Sequence, residues 1–251
     1  MTQSVFKEQT PKSFLQDLFE ESSTQKQRIG TIMRLADGRE FVYGQAGAAN
    51  IAVGLLAQGA VHDVANHGNL ATANANANAT AITVTLSDLL ATANMYAEGF
   101  LHFNTGTGAG YGYKIKSHPA AAANANLVVT LYDKLRLTLA TAKGTLSKHP
   151  ASSVIVVPSP ATQAIIGATI IPVTANYYAW FQKKGPACVL ANGTLVAGDL
   201  AMSSNDVDGA VSPINNAYAA NVVPGVLEQV VGRVITINAN AHYAMIYLLL
   251  P

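Results

Sequence analysis

From Ala81 to Leu86 the chain reads Ala-Ile-Thr-Val-Thr-Leu, with apolar and polar side chains taking turns and no charge in sight. Period-two alternation sends successive side chains to opposite faces, so it predicts a half-buried β-strand. The lead-in, "NANANAT" (74–80), is small and polar. A related phrase returns as "NANLVVTLYDKL" (124–135), in which Val129-Thr130-Leu131-x-Asp133-x-Leu135 repeats the frame Val84-Thr85-Leu86-x-Asp88-x-Leu90. Disordered filler has no reason to keep such a frame. Both copies read as strands entered through small-residue turns, and the repeat reflects either chance or parallel placement in one sheet.

The same pattern predicts most of the remaining elements. "TIMRLADGREFVY" (31–43) is a hairpin signal, because Asp37-Gly38 supplies the positive-φ pair of a type I′ turn between apolar runs. "ACVLANGTLVAG" carries the same signal at Asn192-Gly193. Strands are expected over 96–103 and 111–115 around a glycine-rich turn, and again at 153–157, 164–173, 176–182, "GRVITIN" and "HYAMIYLLL". "GQAGAANIAVGLLAQGAV" is ambiguous between a loop and a short helix. Short strands at regular spacing with almost no helical periodicity indicate an all-β sandwich or small barrel. The expected division is an arm over 1–28, a β-rich domain over 29–170 and a barrel-like domain over 171–251, the last two able to run on as one body. Within the arm, Ser13 and Gln16 form a capping box, and Phe14/Leu18 and Leu15/Phe19 stand at i,i+4 spacing. A helix this short is marginal alone, so its apolar face must dock, on its own domain or on a partner. Phe14, Leu15, Leu18 and Phe19 are therefore the candidate partner contacts, and binding outside their own domain is the expectation.

Composition sharpens this picture. Of 251 residues only 12% are charged, where about 25% is usual for soluble domains, and about two-fifths of those charges lie in the first 40 positions. The rest of the chain has a sparsely charged surface of Ala, Asn, Thr, Ser and Gly. A free monomer ordinarily carries more charge, whereas a subunit covered by neighbours need not. The net charge of +1 and the lack of any Lys/Arg run beyond two residues argue against nucleic-acid binding. No apolar stretch approaches the ~20 residues that span a bilayer, so no membrane partner is expected. "MTQSVFKEQTPKSF" has charge where a signal peptide needs an apolar core. The single cysteine, Cys188, lies between Ala187 and Val189 and reads as a buried structural thiol.

Motifs that carry chemistry are few. Gly106, Gly108, Gly110 and Gly112 alternate strictly, miss the G-x-G-x-x-G frame and lead into a strand, so they read as a strand connection. Ser204, Asp206 and Asp208 before Gly209 resemble the start of a calcium loop. Pro213 intrudes, however, and Asn215 stands where a bidentate Glu belongs, so a polar turn is the better reading. His62, Asp63 and His67 crowd together, but the two histidines are at i,i+5, so they read as isolated loop histidines. His102, His118, His149 and His242 are scattered, Cys188 has no activating neighbour in sequence, and no G-x-S-x-G elbow occurs. No catalytic, cofactor-binding or metal-ligating residue is assigned, and the expectation is a protein without enzymatic activity.

Several phrases together resemble structural proteins of tailed bacteriophages: "RLADGREFVYGQAGAA", "TGTGAGYGYKIKSHPAAAANANLVVTLYDKL", "TANYYAWFQKKGPACVL" and "NGTLVAGD". The C-terminal "VVGRVI…YAMIYLLL" is similar in style to the small β-barrels of head decoration, or cement, proteins. The resemblance spans most of residues 31–250. It implies a homo-oligomer, commonly a trimer, made in the bacterial host cytoplasm and bound to the major capsid protein on the phage head. A tail, baseplate or fibre component is the alternative within virions. A carbohydrate-binding module, with Tyr177, Tyr178 and Trp180 as stacking residues, is the alternative of another class, and an enzyme is the last.

Overall fold

The computed structural model describes residues 14–214 and 229–251. The chain divides into two compact units, Val61–His149 and the chain on either side of it. The expected boundary near 170 instead falls inside a single sheet, where Thr169 pairs with Phe181. Almost every described element is a strand, as the alternation and turn signals predict.

The interrupted unit begins with β1 (Ile32–Arg34) and β2 (Glu40–Gln45), a hairpin with Ile32 opposite Val42 and Gly38 at φ 87°. β3 (Leu56–Gln58) lies wholly within the ambiguous Gly/Ala stretch, whose first two residues end β2. The chain then enters the inserted unit: a single-turn helix α1 (Val64–His67), then β4 (Leu70–Ala71), β5 (Ala81–Thr85), β6 (Phe100–Thr105), β7 (Gly112–Ser117), β8 (Asn126–Leu131) and β9 (Lys143–Ser147). Six strands pair in the order β4-β9-β6-β7-β8-β5. A bridge between Thr72 and Val84, with Ala73 N–H donating to Thr83 O at 2.9 Å, brings the two ends together into a nearly closed barrel. Its interior is filled by the inward set of every strand, including Ile82, Val84, Leu101, Ile115, Leu127 and Val129.

The two V-T-L copies are neighbours in this barrel, and they run antiparallel. Ile82 faces Val129 and Val84 faces Leu127, so the repeated frame is arranged about a local two-fold centred on Thr83 and Val128. The Asn-rich lead-ins also have a structural use. Asn78 and Asn124 there, like Asn69, Asn94 and Asn176 elsewhere, sit at positive φ, where a short polar side chain is tolerated and most others are strained. The alternating glycines do the same work in the β6–β7 turn, with Gly106, Gly108 and Gly110 at φ 77°, 100° and 86°.

The chain returns to the interrupted unit with β10 (Ile155–Val156), β11 (Ile165–Thr169), β12 (Tyr178–Leu190), β13 (Leu200–Ser203), β14 (Val211–Pro213), β15 (Val230–Thr236) and β16 (Tyr243–Leu249). The sheet runs β10-β3-β11-β12-β16-β15-β13-β14. β12 is its spine: one edge pairs β2 over Tyr178–Lys184 and β16 over Lys184–Leu190, while the other pairs β11. The sheet curls on itself, since Leu56 N–H donates to Gly209 O and Gly209 N–H to Val157 O, each at 2.8 Å. Leu56, Val189, Val211, Val231, Ile246 and Leu248 fill the space so enclosed.

Two local expectations are corrected. Asn192-Gly193 does not turn a hairpin, because β12 is already paired with β16 in full register and β13 pairs with β14 and β15. Gly193 nonetheless lies at φ 85°, its N–H donating to Asn240 Oδ1 at 2.7 Å. Residues 14–21 are not helical, and Ser13 lies outside the described residues. Gln16, buried to 1% exposure, binds the segment to the sheet instead. Its Nε2 donates to Glu20 O at 2.7 Å and Tyr178 O at 2.9 Å, and its backbone carbonyl accepts from Trp180 Nε1 at 3.3 Å. These contacts, with the Ser22–Tyr178 bridge, outcompete a two-turn helix whose nucleation is costly.

Candidate interaction surface

β16 is apolar on both parities. Ala244, Ile246 and Leu248 point inward, so Tyr243, Met245, Tyr247 and Leu249 must point out. Register places Pro186 beside Tyr247 and Cys188 beside Met245 on β12, and Arg233 beside Tyr247 on β15. The result is an outward sheet face that carries two tyrosines, a leucine and a methionine where water would ordinarily meet polar side chains. Ile235, on β15, and Ile237, just past it, add to the exposed apolar set.

One end of this face deepens into a groove of about 350 Å3 lined by Phe19, Val53, Ile170, Cys188, Tyr243 and Met245. Gly54, at φ 72°, lets the Tyr243 ring lie against the backbone; a Cβ there would come within 2.6 Å of Cε1. Polar groups along the groove are turned to their own chain. Thr169 Oγ1 donates to Ala52 O at 2.7 Å, and Gln182 Nε2 to Pro186 O at 2.8 Å and Lys184 O at 3.1 Å. Arg39, which also lines the groove, is paired with Asp37 at 2.5 Å, so most of what the groove offers is carbon surface.

The four candidate contacts separate into two pairs. Leu18 is buried with Met33, Phe41, Tyr43 and Trp180, and the Phe14 ring stands edge-on to Trp180 at 5.3 Å. These two dock on their own sheet. Leu15 and Phe19 remain 75% and 62% exposed. Trp180 is fully buried, and Tyr178 stacks on Tyr43 at 6.0 Å. Trp180 and Phe181 are thus core, while Tyr177 and Tyr178 are half-buried and pack against it.

Cys188 is exposed, contrary to expectation. Ala187 and Val189 take the inward parity of β12, which leaves Cys188 on the outer face.

In the inserted unit, His67 is buried and works as a core residue, not as a loop histidine. Its Nε2 faces Leu89 O at 3.2 Å and so carries the proton, leaving Nδ1 to accept from the Tyr96 hydroxyl. His118, also buried, takes the opposite tautomer: Nδ1–H donates to Pro119 O at 2.8 Å, and Nε2 accepts from Tyr96 N–H at 2.9 Å. Burial pushes the Tyr96 hydroxyl well above the usual tyrosine range, with the Asp63 charge adding to it. Burial likewise holds His118 below the ordinary histidine value, against the opposing pull of its hydrogen bond to Pro119. Asp63 caps α1, and the hydrogen bonds from the Asn66 side chain and backbone lower its pKa. Both histidines are consumed in holding Tyr96.

The calcium-like loop is a polar turn. Ser204 Oγ accepts from Asp206 N–H at 3.1 Å and Val207 N–H at 3.0 Å, and Asp208 Oδ1 accepts from Ser159 N–H at 2.9 Å. Among the described residues no group of three or more His, Cys, Asp or Glu side chains could hold a metal ion. No protein-family model, curated protein or solved structure matches this chain.

The feature that sequence reasoning missed is the outward face of β16. Its signal was present: "HYAMIYLLL" is apolar at every position from 243 to 250, so either parity facing solvent would leave apolar side chains exposed.

Proposed function

We propose that this chain is a structural protein of a tailed-phage virion, binding and reinforcing the capsid shell as a decoration, or cement, protein, without catalysis. The observation that carries the reading is the apolar outer face of β12 and β16. A folded chain with so little charge and so much outward apolar surface is built to be covered. Its buried histidines are engaged by their own chain, His67 with Leu89 O and the Tyr96 hydroxyl and His118 with Pro119 O and the Tyr96 amide. In this reading the partners are the major capsid protein and further copies of the chain, with a trimer as the form the resemblance implies. The place of action is the phage head, after synthesis in the host cytoplasm.

Immunogold labelling of purified virions with antibody to this chain tests the proposal. Label on the heads is expected. Label confined to tails or baseplates supports the alternative virion role, and unlabelled virions refute both.

A further inference from the structure

We infer that the outward face of β12 and β16 is where a second copy of this chain packs. Tyr243, Tyr247 and Leu249 are 44%, 39% and 52% exposed, and Phe19 at the adjoining groove is 62% exposed. With roughly 150–250 Å2 for a whole aromatic side chain, these residues and their neighbours Pro186, Cys188 and Met245 leave several hundred Å2 of apolar surface. That approaches the ~800 Å2 that one partner contributes to a standard interface. β16 is seven residues long, about 23 Å at strand rise, and so presents a face long enough for one sheet to lie on another.

Charge favours a second copy over an oppositely charged partner. The ionic groups around the face close within the chain. Glu40 takes Arg34 at 3.2 Å and Lys184 at 3.6 Å, Arg39 takes Asp37 at 2.5 Å, and Arg233 donates to Gly198 O at 3.0 Å. A carboxylate-rich partner would have to compete for cations already engaged. An identical face brings apolar surface against apolar surface, while Lys184, beside Leu249, keeps Glu40 as its partner and Arg233, beside Tyr247, keeps its bond to Gly198 O. The inference rests on the self-association proposed above and names its surface; it does not rest on a phage head being the final partner, so its failure leaves binding to the head standing.

Sedimentation equilibrium of the full chain, with no shell present, is the test. The wild type is expected at a multiple of 26.2 kDa. The Tyr247→Lys/Leu249→Lys variant is expected to associate about tenfold more weakly or worse and to keep the wild-type circular dichroism. Val128→Lys, on an exposed position of the inserted unit, should keep the wild-type mass. A second readout needs no substitution. Cys188, the only cysteine, lies on the face, so its reaction with a soluble disulfide reagent should be slow in the assembly and accelerate on dilution. A monomeric wild type at its highest soluble concentration, or a Cys188 rate independent of dilution, overturns the inference. So does a folded double-lysine variant that keeps full assembly.

Discussion

The Tyr43 hydroxyl donates to Gln16 Oε1 at 2.7 Å, joining the N-terminal segment to the second strand of the sheet inside a pocket closed by Trp180 and Leu18. The segment is thereby part of the core of its own unit. Leu18→Ala should cost about 2–5 kcal/mol, the range for emptying a packed leucine site, while Leu15→Ala, at 75% exposure, should stay within about 0.5 kcal/mol. Urea denaturation of the two variants checks the contrast. Removing residues 1–28 should lower the thermal midpoint, the reverse of what a freely docking arm predicts.

The His118–Tyr96 contact makes the inserted unit sensitive to acid. His118 is held below its ordinary value in the fold, mainly by burial. The unfolded chain therefore takes up its proton first as pH falls. The stabilising contribution is complete above about pH 6.5, the unfolded value, and is lost progressively as pH drops from there toward the lower folded value. Hydrogen exchange of the Tyr96 amide, whose N–H is bonded to His118 Nε2, should accelerate over that interval beyond the trend of other barrel amides. An NMR titration of His118 at or above pH 6.5 would contradict the assignment.

Gly193 sits at φ 85° outside any hairpin. Gly193→Val should destabilise by about 1–3 kcal/mol, since a β-branched residue is strained there. Gly193→Asn should cost less, in keeping with the five asparagines at positive φ among the described residues. Denaturant midpoints of the two variants provide the comparison.

Trp180 is the only tryptophan and is fully buried. Its emission should be blue-shifted and resist iodide quenching, and soluble glycans should leave it unchanged. Ready quenching, or a glycan-dependent shift, would favour the carbohydrate-binding alternative.

What the sequence made legible follows the reach of each signal. The β class, the Asp37-Gly38 hairpin and the inward sets Ile82/Val84 and Leu127/Val129 rest on period-two alternation and turn chemistry, which act over a few residues. The Asn192-Gly193 hairpin failed because turn propensity permits a reversal but does not choose the partner; β16, more than 50 residues later, had taken that edge of β12. The helix over Phe14–Phe19 failed for a related reason. A buried glutamine bonded to Tyr43, Glu20 and Tyr178 is a tertiary contact, and no local spacing announces it. His67 was misread because a histidine in a polar stretch looks exposed until Leu89 O and the Tyr96 hydroxyl are brought to its two nitrogens. Cys188 was the avoidable error. With Ala187 and Val189 taking one parity of a strand, Cys188 belongs on the other face.

The central claim is that this chain is a structural protein whose exposed surface is covered in a phage shell. Heads assembled without the chain, mixed with increasing amounts of the purified protein and then sedimented, test it most directly. The account predicts saturable co-sedimentation at a fixed ratio to capsid subunits, and heads that withstand higher temperature or chelator once saturated. Protein that stays in the supernatant at every ratio, with heads no harder to disrupt, would contradict it.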